Sequence, residues 1–157
     1  MKIKLIMIGK TDEKYLEEGI EKYAKRLKHY ISFERVIIPD VKQGPKMAVE
    51  KLKEEEGKLI LSKIENSDVV VLLDDKGAEY TSTGFAGWMQ KKMNTVAGNL
   101  VLVIGGAFGF SEEVYSRANE KLSLSKMTFS HQMVRLFITE QLYRAFSILR
   151  GEKYHHE

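Results

Sequence analysis

A few short stretches carry side chains able to do chemistry. His131 is followed four residues later by Arg135, a spacing that puts both on one face of a helix. Histidine can accept or shuttle a proton near neutral pH, and arginine can pair a phosphate. A histidine ahead of an apolar helix can equally cap it or pack against it. The run Val101-Leu-Val-Ile-Gly105-Gly106-Ala-Phe-Gly109-Phe-Ser111 places glycines at a strand-to-helix turn. Backbone there can approach a ligand closely, and a helix start offers free N–H groups. The run is neither a P-loop nor Gly-x-Gly-x-x-Gly, and a tight turn without a ligand would use the same glycines. Asp74 and Asp75 could act as a base or hold a metal. No third ligand stands at useful spacing, so capping and turn roles suit them better and no metal site is expected. The chain closes with Tyr154-His155-His156-Glu157, by position alone a frayed tail.

The elements that must position these residues can be read from length and pattern. At 157 residues the chain is expected to form one domain, residues 1–157. Cysteine is absent, which excludes a disulfide scaffold, a thiolate nucleophile, an iron–sulfur cluster and a Cys-based zinc site, and fits a reducing cytoplasm. No apolar stretch reaches about 18 residues, so no membrane span is expected. The net charge is only +3, but between Lys121 and Arg150 five basic residues face a single acid, Glu140. That end could meet a polyanion, or it is a solvated helix face.

Five β-rich runs alternate with helical patterns: Lys2 to Ile8, Arg35 to Ile38, Asp68 to Leu73, Asn99 to Ile104 and Leu122 to Phe129. The third and fourth are nearly continuous in Val, Leu and Ile, as in strands buried on both faces of a parallel sheet. Helices are expected after Thr11, from Pro45 to Ile64, after Ser82, after Ser111, and from Met133 to Leu149. The fold class is therefore α/β, a mainly parallel sheet flanked by helices, with ligands expected at the carboxyl ends of the strands. The last helix is apolar around most of its circumference. Either other elements wrap it, or a second subunit covers it.

Several motifs then add up: Val-Ile-Gly105-Gly106 with Gly109, the Leu124-to-Phe129 run, His131 with Arg135, Glu140-Gln-Leu-Tyr143-Arg144-Ala, and Tyr154-His155. Together they resemble the bacterial large-subunit ribosomal RNA pseudouridine N3-methyltransferases of the SPOUT class, over essentially the whole chain. The resemblance implies a C-terminal trefoil knot, a homodimer, and S-adenosylmethionine bound at the knot. It implies cofactor contacts at Leu73, Gly105, Leu124, Ser125, Lys126, Met127, Thr128 and Phe129. The implied substrate is a pseudouridine in 23S rRNA of the ribosome, and some members of the family carry Arg where this tail has His156.

Methyl transfer to N3 requires alignment of the reactants, removal of the N3 proton and steadying of developing negative charge. His131 or His155 is the candidate base. Arg135 is the candidate for stabilising the anion or holding phosphate, and Tyr154 for stacking on the base. A nucleotide-dependent α/β enzyme using the Gly105 loop and a non-catalytic ribosome-binding factor are the alternatives.

Overall fold

Strand and helix alternate as the apolar pattern predicts. In this computed structural model, which describes residues 1–156, the elements are β1 (Ile3–Ile8), α1 (Lys14–Leu27), β2 (Phe33–Ile38), α2 (Val49–Leu61), β3 (Val69–Glu79), α3 (Ser82–Thr95), β4 (Leu100–Ile104), α4 (Glu112–Arg117), β5 (Glu120–Ser123) and α5 (His131–Leu149). Glu157, the last residue of the tail, lies outside the described residues.

The strands form one parallel sheet in the order β2-β1-β4-β3-β5. Side chains alternate across a strand. Ile3, Leu5 and Met7 of β1 and Leu100, Leu102 and Ile104 of β4 therefore enter a core shared with α1, α3 and α5. Their neighbours Ile6, Ile8, Val101 and Val103 enter a second core with α2 and α4. Both faces are covered, which is why β4 is apolar at every position and β1 at every position but Lys4. Helices α1 and α3 lie on one face and carry the chain toward the β2 edge, whereas α2 and α4 lie on the other and carry it toward the β5 edge. All four crossovers therefore share one hand, as parallel connections do. The last reversal falls among β3, β4 and β5, and it opens a crevice at their carboxyl ends.

Several expected boundaries shift. The fifth strand stops at Ser123, not Phe129. The Ser123 hydroxyl donates to the Ser125 carbonyl at 2.8 Å, and the Ser125 hydroxyl accepts the Met127 amide at 3.0 Å. These local bonds replace a strand ladder with a turn. The third strand runs past Leu73 to Glu79, because Ala78 pairs again with Leu122 after residues 74–77 loop out. Gly77 makes that possible. A Cβ there would lie 2.5 Å from the Leu122 nitrogen, so only glycine lets these two backbones meet. Helix α2 begins at Val49, not Pro45. Pro45 instead occupies the second position of a turn closed by Met47 N–H on the Gly44 carbonyl at 3.0 Å. Thr11 does not cap α1; that position belongs to Glu13.

Helix α5 packs between α1 and α3 along the stripe Arg135, Ile138, Thr139, Leu142, Ala145 and Phe146. Val134, Leu136, Tyr143, Ile148 and Leu149 are half-buried, and Phe137 is 36% exposed. Internal packing thus explains part of the apolar circumference and leaves one side uncovered. No helix among the described residues is long and apolar enough to cross a membrane.

Candidate active site

A crevice of about 370 Å³ opens where the strand order reverses. Leu73, Asp74 and Asp75 wall it from β3, where residues 74–77 loop out, and Ile104 to Ala107 with Gly109 and Phe110 wall it from the end of β4 and the loop after it. Leu122 to Ser125 and Met127 to Ser130 close it from the segment after β5, with His131 and Val134 of α5 behind them. Tyr115 of α4 completes the lining.

Local sequence explains each wall. After β4 the chain must reverse within a few residues. Gly109 sits at φ +86 and its amide bonds the Gly106 carbonyl at 3.2 Å, a turn that side-chain-bearing residues adopt only under strain. Ser111 then caps α4, its hydroxyl accepting the Val114 amide. Ser130 caps α5 in the same way, accepting the Met133 amide at 3.2 Å, and so fixes where His131 leaves the helix start.

The residues singled out from the sequence fall into three groups. Leu73, Gly105, Leu124, Ser125, Met127, Thr128, Phe129 and His131 come together on the crevice, whereas Lys126 is exposed and outside its lining. Arg135, one turn beyond His131, reaches elsewhere. It is fully buried and donates to the Ile8 carbonyl at 2.6 Å, the Gly9 carbonyl at 2.9 Å and the Thr11 hydroxyl at 3.3 Å. Burial pushes its pKa down from the ordinary value, while the charges of Asp12, Asp40 and Glu17 act the other way. The expected phosphate- or anion-holding role meets a guanidinium already committed to carbonyls at the end of β1, which lack a partner where the sheet stops.

The third group is the tail, which is folded rather than frayed. The Tyr154 hydroxyl donates to Glu140 at 2.9 Å, and Arg144 lies over the Tyr154 ring at 4.6 Å. Arg144 also bonds Glu140 through two nitrogens and meets His155 Nδ1 at 3.0 Å. Burial, then the bonds to Tyr23 and Glu140, raises the Tyr154 pKa. Arg144 lies 13 residues beyond His131 on α5, about 20 Å along the axis. Within one chain, Tyr154 and His155 therefore stand far from the crevice.

Sequence reasoning did not find Tyr115. Its hydroxyl donates to Asp74 at 2.7 Å, and the Lys76 amide donates to the same carboxylate at 2.9 Å. A helix of 6 residues offers too little periodicity to show which side chain turns inward. Asp74 and Asp75 were visible as turn residues, and the Lys76 bond is that role; their place on the crevice wall was not. Among the described residues no group of His, Cys, Asp and Glu could hold a metal ion.

The volume is within the range of small-molecule sites. The charge of the walls is more selective. Asp74 and Asp75 are the carboxylates lining the crevice, and no lysine or arginine lines it. Such walls favour a cationic ligand and oppose a polyphosphate.

Comparison with known proteins agrees with this fold. A family profile described as "Predicted SPOUT methyltransferase" matches residues 1–155. A protein of Cytophaga hutchinsonii named "Ribosomal RNA large subunit methyltransferase H" is 58% identical, covering 99% of this chain and 100% of that protein. Proteins of the same name from Christiangramia forsetii and Parabacteroides distasonis are 60% and 55% identical over 99% and 100% of this chain, and over 99% and 100% of their own. Among solved structures, a probable methylase family protein of Haemophilus influenzae aligns with TM-score 0.52 at 13% identity, covering 99% of this chain and 70% of that one, a likeness of fold. With the strand-tip crevice in place and the family profile spanning nearly every residue, this chain belongs to the SPOUT methyltransferase family.

Proposed function

We propose that this methyltransferase takes its methyl group from S-adenosylmethionine and acts as a cytoplasmic homodimer on N3 of a pseudouridine in 23S ribosomal RNA. The observation that carries the donor assignment is the crevice wall, with two carboxylates and no lysine or arginine. The nucleotide-dependent alternative would put phosphates against Asp74 and Asp75 with no lysine or arginine to offset them. The RNA class is supported by the names of full-length relatives 55–60% identical. The trefoil threading of the C-terminal part belongs to the same proposal.

When bound, S-adenosylmethionine supplies an electrophilic methyl group on a sulfonium. The residues that would hold it are Leu73, Gly105 and the stretch Leu124 to Phe129, Lys126 included. Backbone groups of that irregular stretch and of the glycine turn give hydrogen bonds without adding charge. His131, at the crevice and the start of α5, would take the N3 proton.

The tail enters through the dimer. Phe129 and Phe137 pack at 4.9 Å between ring centroids, Met127 is 75% exposed and Tyr80 is 42% exposed, an apolar patch beside the crevice. Phe137 stands 6 residues after His131 and 7 before Arg144. Two α5 helices crossing antiparallel at Phe137 would set each Arg144, with its bound tail, opposite the other chain's His131. In that arrangement His155 of the partner subunit is the second candidate base, and Tyr154 of the partner subunit can stack on the target base.

Titration calorimetry with S-adenosylmethionine, NAD and ATP tests the donor, followed by tritium transfer to ribosomes lacking the modification. Saturable binding of S-adenosylmethionine alone, with label on the ribosomal RNA, is the expected result. Binding of NAD or ATP instead, or binding to ribosomes without methyl transfer, would sink the proposal.

A further inference from the structure

Asp74 differs from an ordinary surface carboxylate. It is half-buried on the crevice wall and anchored through both oxygens, one by Tyr115 and the other by the Lys76 amide. Burial acts to raise its pKa, but the bonds from the Lys76 amide and the Tyr115 hydroxyl and the charge of Lys121 prevail and hold it below the usual carboxylate value. Burial, then the bond and charge of Asp74, pushes Tyr115 up to about 12, so its hydroxyl remains a donor at neutral pH. Asp75, by contrast, is exposed.

A fixed, ionised carboxylate answers to the charge of what lies beside it. The methyl donor and the product it becomes share adenine, ribose and amino-acid end. They differ at sulfur, a cationic sulfonium before transfer and a neutral thioether after it. They differ also by the methyl group itself, but most contacts in the crevice are the same for both, and a charged wall can tell them apart by the sulfonium.

We infer that Asp74, locked in place by Tyr115, is a specificity residue that favours the charged donor over its uncharged product. This rests on the donor proposed above. It gives the crevice a means of releasing spent product while donor is present, without any movement of the fold. Tyr115 is a positioning residue in this scheme. It holds Asp74 in one orientation and keeps the charge facing the ligand.

Calorimetry on the full-length protein separates this from a structural role. The ligands are S-adenosylmethionine, its product S-adenosylhomocysteine, and sinefungin, an analogue with an amine charge near the sulfonium position. Asp74→Asn should weaken S-adenosylmethionine and sinefungin about 10-fold, or ~1.4 kcal/mol, and the product by less than about 3-fold. Tyr115→Phe should give the same ordering with a smaller loss. It also keeps the test available should Asp74→Asn fold poorly, since Tyr115 is 41% exposed. Equal losses for all three ligands would overturn the inference, as would an unchanged donor-to-product ratio in both variants. If the unaltered protein binds none of the three, the donor proposal itself has failed, a result distinct from either of these.

Discussion

Arg144 and His155 meet at 3.0 Å, and that contact fixes the tail at the far end of α5 from His131. The two histidines best suited to move a proton are thus held at opposite ends of one helix. Catalysis that uses both needs two chains. Mixing His131→Ala subunits with His155→Ala subunits should restore activity to about a quarter of that of the unaltered enzyme, one competent site in each mixed dimer, half of all dimers being mixed. Either variant alone should fall by about 10²-fold if its histidine acts as a general base. No recovery on mixing, with mixed dimers shown by mass spectrometry, would mean that each crevice does not take the other chain's tail.

Arg135 should behave as a buried structural cation. Arg135→Ala leaves the Ile8 and Gly9 carbonyls and the Thr11 hydroxyl without their donor and opens a cavity. We expect a loss of about 3–5 kcal/mol in urea unfolding. An unchanged midpoint with lost activity would place Arg135 at the substrate instead.

Gly77 is a packing requirement. Gly77→Ala drives a Cβ into the backbone of Lys121 and Leu122, 2.5 Å from each, where nothing flexible can yield. A cost of about 1–3 kcal/mol is expected, with donor affinity falling as well, because β5 forms a wall of the crevice. Thermal unfolding and calorimetry read the two effects.

Glu56 should oppose folding at neutral pH. Its carboxylate sits beside Gly106, filling the space a side chain there would need, and it is 8% exposed. Burial, then the charge of Asp40, raises its pKa. A carboxyl whose pKa is higher folded than unfolded binds its proton more tightly in the folded state. Its penalty is absent below the ordinary value of about 4.3 and grows as pH rises through the raised one. Glu56→Gln should therefore raise Tm by about 2–4 °C at pH 7. That gain should shrink toward zero near pH 4, and a gain independent of pH would contradict the assignment.

The sequence by itself determined the α/β class, the parallel sheet, the cap Ser111 and the position of the strand-tip crevice. Those features are local: they follow from runs of Val, Leu and Ile, from helical spacing, and from glycines after a strand. Motif order also carried the family, since the pattern from Gly105 to His155 needs no coordinates. Tertiary structure decided what each polar side chain faces. His131 and Arg135 share a spacing that suggests a common task, yet one meets the crevice and the other reaches the end of β1. Tyr115 became part of the site only when α4 was laid beside the looped-out residues 74–77 of β3. Residues 124–129 read as a strand by alternation, and serine hydroxyls bonding nearby backbone made them a turn. Periodicity reports which side of an element is dry, whereas the partner of a long polar side chain depends on which distant backbone the fold brings within hydrogen-bonding reach.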